Sequence, residues 1–234
     1  MIPIKTESAW RGTSDCRNCG IRDMVLFADL NEEDFGLIHA PIDDLEFRSG
    51  AVLFQEGSNA IGIFTVRTGM VKLVRNTSDG RERIVRVLRP GDVAGLEALA
   101  HSRYDTDAGA LTDVSVCRIP ITVIQRLGSQ SPRLHQRLME KWSHTLREAD
   151  DWLADLNFGP ARSRVCNFVL KMRTAADTQI VTLFSREDMG AMLDLKMETV
   201  SREISALVRE QVLEPIDKSG RKYRILNTLP LLGQ

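Results

Sequence analysis

The chain has 234 residues, of which 43% are hydrophobic and 27% are charged, as is typical of a globular protein. This length suits one large domain or two modest ones. No apolar run reaches the roughly 18 residues that a transmembrane helix needs. The N-terminus lacks a basic region followed by an apolar core, so we expect no signal peptide, no membrane partner and a cytoplasmic location.

The charge is distributed unevenly, although the formal net charge is only −1. Residues 160–234 carry 12 Lys and Arg against 9 Asp and Glu, a balance of +3. The remainder carries 19 against 23, a balance of −4. A mildly basic C-terminal third on an acidic body favours a nucleic-acid-binding module attached to another domain.

The first half of the chain is punctuated by glycines. Gly57, Gly69, Gly80 and Gly91 are spaced 12, 11 and 11 residues apart. Short β-rich runs lie around them, at 51–54, 62–67, 70–74 and 82–88, and a further one follows at 115–119. Regular turn signals around short strands predict an antiparallel roll or barrel.

A long helix is predicted from residue 132 to about 156, with Pro132 suited to its first turn. Its apolar residues recur at intervals of three or four, which gives a narrow, heptad-like stripe typical of a coiled-coil seam. We assign six of them to a homodimer interface: Leu134, Leu138, Trp142, Leu146, Ala149 and Leu153. The alternative is that the stripe packs against the chain's own body.

Two short amphipathic helices joined by a tight turn are predicted over 184–207. Ser185 is placed to cap the first helix, with Asp188 in the acidic position of a capping box. Asp194 lies at the turn, where a left-handed conformation is tolerated by Asp. The buried stripe of the second helix consists of Val200, Ile204 and Leu207.

The opposite face of the second helix is polar. It carries Glu198, Ser201, Arg202 and Ser205, and Lys196 lies at the helix entrance. Arg pairs with guanine in bidentate fashion, Glu accepts from cytosine N4, and Ser bonds either a base or a phosphate. The pattern therefore indicates a base-reading surface, the alternative being two ordinary surface helices with solvated charges.

Three further features surround this pair of helices. A break at 157–160 predicts a hinge, and a further helix follows at 161–173. A small β-hairpin is predicted near the C-terminus and forms a wing. Its Lys218, Arg221, Lys222 and Arg224 suit contact with DNA phosphates, which adds affinity without sequence information.

Together these features resemble the CRP/FNR family of bacterial transcription regulators over nearly the whole chain. Residues 198–202, with the sequence Glu-Thr-Val-Ser-Arg, are similar to the recognition-helix signature Glu-x-x-Ser-Arg of the FNR branch. The resemblance implies an α+β fold with an N-terminal antiparallel β-roll of the cyclic-nucleotide-binding jelly-roll type, a long dimerisation helix and a C-terminal winged helix-turn-helix. We place the arm at 1–30, the roll at 31–128, the dimerisation helix at 129–157 and the DNA-binding domain at 158–234.

The resemblance also implies a function. A homodimer would bind double-stranded DNA at an inverted repeat similar to TTGAT-N4-ATCAA, with Glu198 and Arg202 reading the G·C pair and Ser201 the neighbouring thymine. RNA polymerase is the further partner implied. We expect no enzymatic activity, because the sequence contains no phosphate loop, nucleophile elbow or dinucleotide fingerprint. Where the family has a turn glycine this chain has Asp194, and its usual Ser or Thr at the helix entrance is Lys196.

The cyclic-AMP-binding branch carries a Gly-Glu pair and, later, an Arg-Ser pair that grips the phosphate. The matching positions here hold Gly95-Leu96 and Thr106-Asp107. Thr cannot form the bidentate clamp that Arg offers, and Asp repels a phosphate. We therefore expect no cyclic nucleotide, with Arg103 as the one neighbouring residue that argues for one.

The chain has four cysteines, which we expect to be reduced. FNR-like members hold a [4Fe-4S] cluster with three cysteines of the arm and one of a late roll strand. Cys16, Cys19 and Cys117 resemble three of these ligands, whereas Val25 stands at the remaining position. The candidates for a replacement donor are Asp15, Asp23 and His39. Cys166 is expected to pack within a helix.

The resemblance implies a response to oxygen, nitric oxide or redox state. The main alternative is a CRP/FNR-type regulator without a cluster, controlled by another small ligand or by a thiol switch. The same cysteines could instead hold zinc, act as a thiol oxidoreductase motif or be idle, and a histidine could bind haem. A non-catalytic binding scaffold is the remaining alternative.

Overall fold

The computed structural model describes residues 40, 42–77, 80–173, 178–218 and 220–232. The chain divides into two compact units: one comprises Met1–Arg75 and Val85–Arg147, and the other comprises Asn76–Ile84 and Glu148–Gln234. The predicted cysteine-containing arm lies outside the described residues. Within those residues, no helix combines the length and the apolar character that crossing a bilayer requires.

The first unit is built mainly from β-strands. Its strands are β1 (Asp43–Phe47), β2 (Val52–Phe54), β3 (Gly62–Thr68), β4 (Val71–Asn76), β5 (Glu82–Leu88), β6 (Val93–Ala94), β7 (Asp107–Ala110) and β8 (Val114–Pro120). A short 3-10 helix follows β6 at Leu96–Leu99, and α1 (Ile121–Gln130) and α2 (Pro132–Leu156) follow β8. All five strand runs predicted from the sequence are confirmed, whereas β1, β6, β7 and α1 were not predicted.

These strands form two four-stranded sheets, ordered β1-β8-β3-β6 and β2-β7-β4-β5. The β1–β8, β3–β8, β3–β6, β2–β7 and β4–β7 pairings are all antiparallel. The predicted antiparallel β-roll is therefore confirmed. Strand β3 is buried from Gly62 to Val66 because the second sheet covers one of its faces and helices cover the other.

Helix α2 shows why part of the seam assignment is wrong. Leu134 and Leu138 are 0% and 8% exposed and belong to the core between the first sheet and α1. They are already covered by the chain's own residues, so they cannot also form an outward seam. The stripe that remains outward consists of Met139, Trp142, Leu146 and Leu153, with exposures of 43%, 39%, 63% and 54%. Met139 was not predicted, because sequence spacing alone cannot separate two adjacent apolar faces of one helix.

The second unit contains a compact helical and sheet module. Its elements are α3 (Ala161–Lys171), β9 (Ile180–Thr182), α4 (Arg186–Leu193), α5 (Met197–Arg209), β10 (Leu213–Pro215) and β11 (Lys222–Ile225), followed by a 3-10 helix at Leu229–Leu232. The three strands pair antiparallel in the order β10-β11-β9. The predicted winged helix-turn-helix is therefore confirmed.

Apolar residues from every helix of the module meet in its core. Phe168 of α3 and Phe184, just before α4, form an edge-to-face aromatic pair with ring centroids 5.2 Å apart. Val200, Ile204 and Leu207 of α5 are each at most 2% exposed, as their spacing predicts. Cys166 is 3% exposed on α3 and is a packing residue, also as predicted.

Candidate nucleic-acid interface

The first helix of the pair, α4, begins with a side-chain cap. The Ser185 hydroxyl oxygen accepts a hydrogen bond from the backbone N–H of Asp188 (3.0 Å), and the hydroxyl lies 2.6 Å from the Asp188 carboxylate. Satisfying a free N–H at the helix start in this way stabilises a helix by about 1 kcal/mol. The predicted capping residue is confirmed, and α4 therefore starts at a defined position.

The turn between α4 and α5 is fixed by two local constraints. Asp194 adopts a left-handed conformation with φ 52° and ψ 47°. Gly190 lies so close to the turn that a β-carbon there would be 2.7 Å from the carbonyl oxygen of Leu195. Only glycine permits this approach, so α4 and the turn are in near contact.

Two arginines from other elements hold the same turn. Arg164 of α3 donates to the carbonyl oxygen of Leu193 at 2.8 Å. Arg83, which groups with the second unit, forms an ion pair with the Asp194 carboxylate and donates to the side chain of Asn157 at 3.0 Å. Neither contact was predicted, because both join residues that are far apart in sequence.

Helix α5 presents the predicted polar face outward. Glu198, Arg202, Ser205 and Lys196 are exposed, and Ser201 is half-buried. Arg202 keeps 69% of its side chain exposed. Lys196 makes no side-chain cap at the start of α5. The start of α5 thus lacks the side-chain cap that α4 has, and the backbone N–H of Thr199 donates to the carbonyl oxygen of Lys196 at 2.9 Å.

Glu203, which the sequence did not single out, connects the polar face to α3. Its carboxylate lies 3.8 Å from Nε of Arg202 and 4.0 Å from a terminal nitrogen of Arg162. Arg162 also pairs with Glu210 at the end of α5. Glu203 is only 17% exposed, so its charge is partly shielded from water. This carboxylate therefore limits the positions open to the Arg202 guanidinium.

The wing carries an exposed basic tip. Lys218, Arg221 and Lys222 are all exposed, as expected of residues that contact phosphates. Arg224 is exposed as well, but its guanidinium lies 2.7 Å from the Glu214 carboxylate across the hairpin. The tip thus offers three cations to a partner, whereas the charge of Arg224 is neutralised by Glu214.

In the roll, Cys117 lies on β8 between two polar neighbours. Its partners in register are Asp44 on β1 and Thr65 on β3. The half-buried Cys117 Sγ lies 3.1 Å from a carboxylate oxygen of Asp44. Arg67 also pairs with Asp44. The structure thus places a thiol beside an oxygen donor, while Cys16 and Cys19 lie outside the described residues.

The interior of the roll beside Gly95 is filled by Tyr104. This ring is 2% exposed and stacks on Phe54 with centroids 3.9 Å apart. Its hydroxyl donates to the carbonyl oxygen of Gly62 at 2.7 Å. Burial raises the pKa of Tyr104 above its ordinary value.

A helix pair with a polar outward face, a basic wing and a β-roll defines a class of two-part DNA-binding transcription regulators. Residues 44–131 match the family model of the cyclic nucleotide-binding domain, and residues 163–231 match that of the Crp-like helix-turn-helix domain. The transcriptional activator FnrA of Stutzerimonas stutzeri is 27% identical over 92% of this chain and 90% of its own. The transcriptional activator Anr of Pseudomonas aeruginosa is 28% identical, with the same coverage of both chains.

The solved structure of FixK2 from Bradyrhizobium japonicum matches with a TM-score of 0.73 and 28% identity. The match covers 83% of this chain and 97% of that one. This chain belongs to the CRP/FNR family of transcription regulators, in its FNR-like branch. The predicted family is thus confirmed. The expectation of a non-enzymatic protein is confirmed too, because the relatives are transcription regulators.

The left-handed turn makes a prediction about stability. Asp194→Ala should lower the free energy of unfolding of the second unit by about 1–2 kcal/mol, because Ala lacks the local side-chain hydrogen bonds through which Asp tolerates the left-handed conformation, and because the ion pair with Arg83 is lost. Asp194→Asn keeps the tolerance for the left-handed conformation and removes only the charge opposite Arg83, so it should lose less. Urea unfolding of both variants measures the difference. An Ala variant as stable as the Asn variant would show that the turn conformation does not limit stability.

Proposed function

We propose that this protein is a homodimeric transcription regulator that reads an inverted repeat similar to TTGAT-N4-ATCAA. The observation that supports this most strongly is the outward polar face of α5, whose opposite stripe is anchored in the core. Glu198 and Arg202 read the G·C pair of each half-site, and Ser201 contacts the neighbouring thymine. Lys196, Ser205 and the wing residues Lys218, Arg221 and Lys222 contact the sugar-phosphate backbone.

The geometry of α5 supports this assignment. Glu198, Ser201, Arg202 and Ser205 recur at intervals of three and four, so they share one side of the helix. An α-helix fits the major groove, and the side chains near its N-terminus reach base edges. The Glu203 carboxylate lies 3.8 Å from Nε of Arg202, which leaves the terminal nitrogens available for guanine. The four side chains thus share one side of α5, which supports their assignment to base reading.

The outward stripe of α2 supports the homodimer. Met139, Trp142, Leu146 and Leu153 are large apolar side chains that water covers in a single chain. Ala149 lies between them and is half-buried. A second copy of α2 would cover this stripe in a two-stranded seam, which is the arrangement that heptad spacing favours. A dimer can place two recognition helices in major grooves about 34 Å apart on one face of the DNA.

The signal that we propose is oxygen, nitric oxide or redox state, sensed through a [4Fe-4S] cluster. Cys16, Cys19 and Cys117 supply three thiolates, and the carboxylate beside Cys117 makes Asp44 a candidate for the fourth donor, with Asp15, Asp23 and His39. An iron–sulfur cluster accepts a ligand other than cysteine. The thiol and carboxylate that lie together in the described part of the roll fit such a ligand pair. The bound cluster would supply a redox-active centre whose loss or oxidation changes the roll.

Cyclic nucleotide is not the proposed effector, despite the matching domain family. The Asp107 carboxylate accepts a hydrogen bond from the backbone N–H of Glu56 at 2.7 Å, at the position aligned with the phosphate clamp. A fixed carboxylate there repels a phosphate. Tyr104 moreover packs against Gly95 so closely that a β-carbon on Gly95 would be 2.9 Å from the ring.

The second candidate is a regulator without a cluster that responds to another small ligand or to a thiol switch. An open groove of about 440 Å³ in the roll favours the ligand version, and it is bordered by Phe54, Ser58, Asn59, Ile61 and Tyr104. A volume of this size suits a small molecule. In either version we propose that the protein acts in the cytoplasm with RNA polymerase as a partner, as the name "transcriptional activator" of its relatives suggests.

Base reading by Arg202 can be tested directly. Arg202→Ala should weaken binding to the inverted TTGAT repeat by about 1–3 kcal/mol and should relax selectivity at the G·C pair alone, because the bidentate pairing to guanine is lost. The measurement is fluorescence anisotropy on labelled duplexes at fixed salt, with each base pair of one half-site changed in turn. Arg209→Ala is the matched control, since Arg209 is an exposed arginine in the last turn of the same helix.

Equal loss of selectivity in both arginine variants would contradict the role of Arg202. Equal affinity of the wild type for the repeat and for a scrambled duplex would contradict sequence-specific binding altogether.

The seam makes a separate prediction. Leu146→Glu combined with Leu153→Glu should convert the dimer to a monomer, because two carboxylates would be buried without a partner charge. Sedimentation velocity measures the mass, and operator affinity should fall to that for a single half-site. Leu229→Glu is the control, since Leu229 is 58% exposed and lies outside α2. A double variant that keeps the dimer mass would exclude this stripe as the interface.

The cluster is tested with protein purified without oxygen. The wild type should be coloured and should contain iron and sulfide, and Cys117→Ser should lose both the visible absorption and most of the iron. Cys166→Ser should keep them, because burial raises the pKa of the Cys166 thiol and disfavours the thiolate that a metal needs. A colourless, iron-free wild type that still binds the operator would establish the version without a cluster. Asp44→Asn with unchanged colour would remove Asp44 from the donor candidates.

A further inference from the structure

The tip of the wing is tied to the start of α4 by one arginine and one tyrosine. The hydroxyl of Tyr223 on β11 accepts a hydrogen bond from a terminal nitrogen of Arg186 at 2.6 Å. The same hydroxyl donates to the carbonyl oxygen of Gly220 at 3.0 Å. Arg186 is the first residue of α4, so this contact joins the helix pair to the wing across 37 positions of sequence.

Burial and a cation–π interaction support the hydrogen bond between Arg186 and Tyr223. Tyr223 is 4% exposed, and the Arg186 guanidinium carbon lies 5.8 Å from the centre of its ring. This arrangement adds a cation–π attraction to the hydrogen bond. Arg186 is half-buried and also donates to Gly220 at the longer distance of 3.5 Å. The guanidinium thus contacts two residues of the wing, Tyr223 and Gly220, neither of which is charged, and its other terminal nitrogen lies 3.7 Å from Sδ of Met189 on α4.

The tip has a second internal support. One carboxylate oxygen of Asp217 accepts hydrogen bonds from the backbone N–H groups of Arg221 and Lys222, at 3.1 and 3.0 Å. This fixes the local course of the hairpin but does not connect it to the helices. Strand β11 is also paired with β9, and the backbone N–H of Leu183, just before α4, donates to the carbonyl oxygen of Arg221 at 2.8 Å. Within the described residues of the tip, the Arg186–Tyr223 hydrogen bond adds a side-chain contact to α4 itself.

The orientation of the tip matters because its cations contact DNA only over short distances. A phosphate contact requires that the cation lies within a few ångströms of the DNA backbone, and counterion release depends on how many such contacts form together. A tip that is held less firmly spreads its cations over more positions and loses part of that contact.

We propose that Arg186 and Tyr223 are positioning residues that hold the wing so that Lys218, Arg221 and Lys222 meet the DNA backbone. The proposal rests on the DNA-binding function above. In it, the neutral hydroxyl of Tyr223 determines how well the charged residues of the wing contact DNA. A residue that contacts no phosphate would thereby set the salt dependence of binding.

The test is Tyr223→Phe, which removes one oxygen atom and no charge. The slope of log Kd against log salt should become shallower by about 1–2, the equivalent of one or two lost phosphate contacts. Affinity at moderate salt should fall by about 3- to 30-fold, equally for the inverted repeat and for a scrambled duplex, since backbone contacts carry no sequence information. The ratio of the two affinities should therefore be unchanged.

The roll provides a control hydroxyl that lies in neither the wing nor the groove. Thr112→Val removes one hydroxyl and no charge, and the oxygen that it removes accepts a hydrogen bond from the backbone N–H of Met70 at 3.0 Å. It should leave the salt slope unchanged. Any effect common to both variants reports on stability rather than on the wing, and thermal unfolding of each variant shows whether it folds.

Arg186→Lys is the second variant, and it tests the proposal even if Tyr223→Phe unfolds the module. Lys keeps the positive charge but lacks the forked donors, so it should make the salt slope shallower as Tyr223→Phe does, and the double variant should add little further loss. If both Tyr223→Phe and Arg186→Lys keep the wild-type slope while Arg186→Ala loses one contact, Arg186 is itself a phosphate contact and the proposal is overturned. If the wild type binds no DNA, the proposed function fails instead.

Discussion

The close approach of α4 to the turn that follows it is the constraint on which the DNA-binding surface depends. Gly190 leaves no atom between the helix and the Leu195 carbonyl, and Asp194 bends the chain in a left-handed conformation. These two features set the direction in which α5 leaves the turn. Because Val200, Ile204 and Leu207 must face the core, that direction decides that Glu198 and Arg202 face outward. A wider turn would change the direction of α5 relative to α4, and with it the direction in which this polar face points.

The long helix α2 contributes first to the core of the roll and then to an exposed apolar stripe. Its first turns contribute Leu134 and Leu138 to the core of the roll, whereas Met139, Leu146 and Leu153 remain uncovered further along. In the proposed dimer, this one helix would contact the core of the roll at its start and the partner copy along its outward stripe. We propose that a change in the roll that shifts the start of α2 would change the packing of the seam, and with it the fraction of dimers competent to bind DNA.

The basic character of the C-terminal third has two different origins. Arg162, Arg164 and Arg186 are half-buried and hold helices, a turn and the wing by contacts within the protein. Lys218, Arg221 and Lys222 are exposed at the wing tip. Of these two groups, the second is the one placed to meet a polyanion, so the net charge of this region overstates the cations that it offers to DNA. Arginine suits the first role because its planar group donates in several fixed directions.

The sequence by itself determined the kinds of elements and most of their limits. The cap at Ser185, the left-handed turn at Asp194 and the buried stripe of α5 follow from local rules of helix capping and periodicity, and all were predicted. Strand β1 was missed because its Asp and Glu residues hide the alternation that marks a strand. Helix α1 was missed because a ten-residue helix between a strand and a proline leaves a weak signal.

Only the tertiary structure decided which partner each side chain meets. Spacing alone placed Leu134 and Leu138 in the seam, but whether an apolar face packs on its own chain or on another depends on what folding brings against it. The pairs Cys117–Asp44, Arg83–Asp194 and Arg186–Tyr223 join positions separated by 73, 111 and 37 residues, respectively, and no local pattern encodes them. Local rules set conformation through neighbours in sequence, whereas long-range contacts arise only when the sheets and helices have packed.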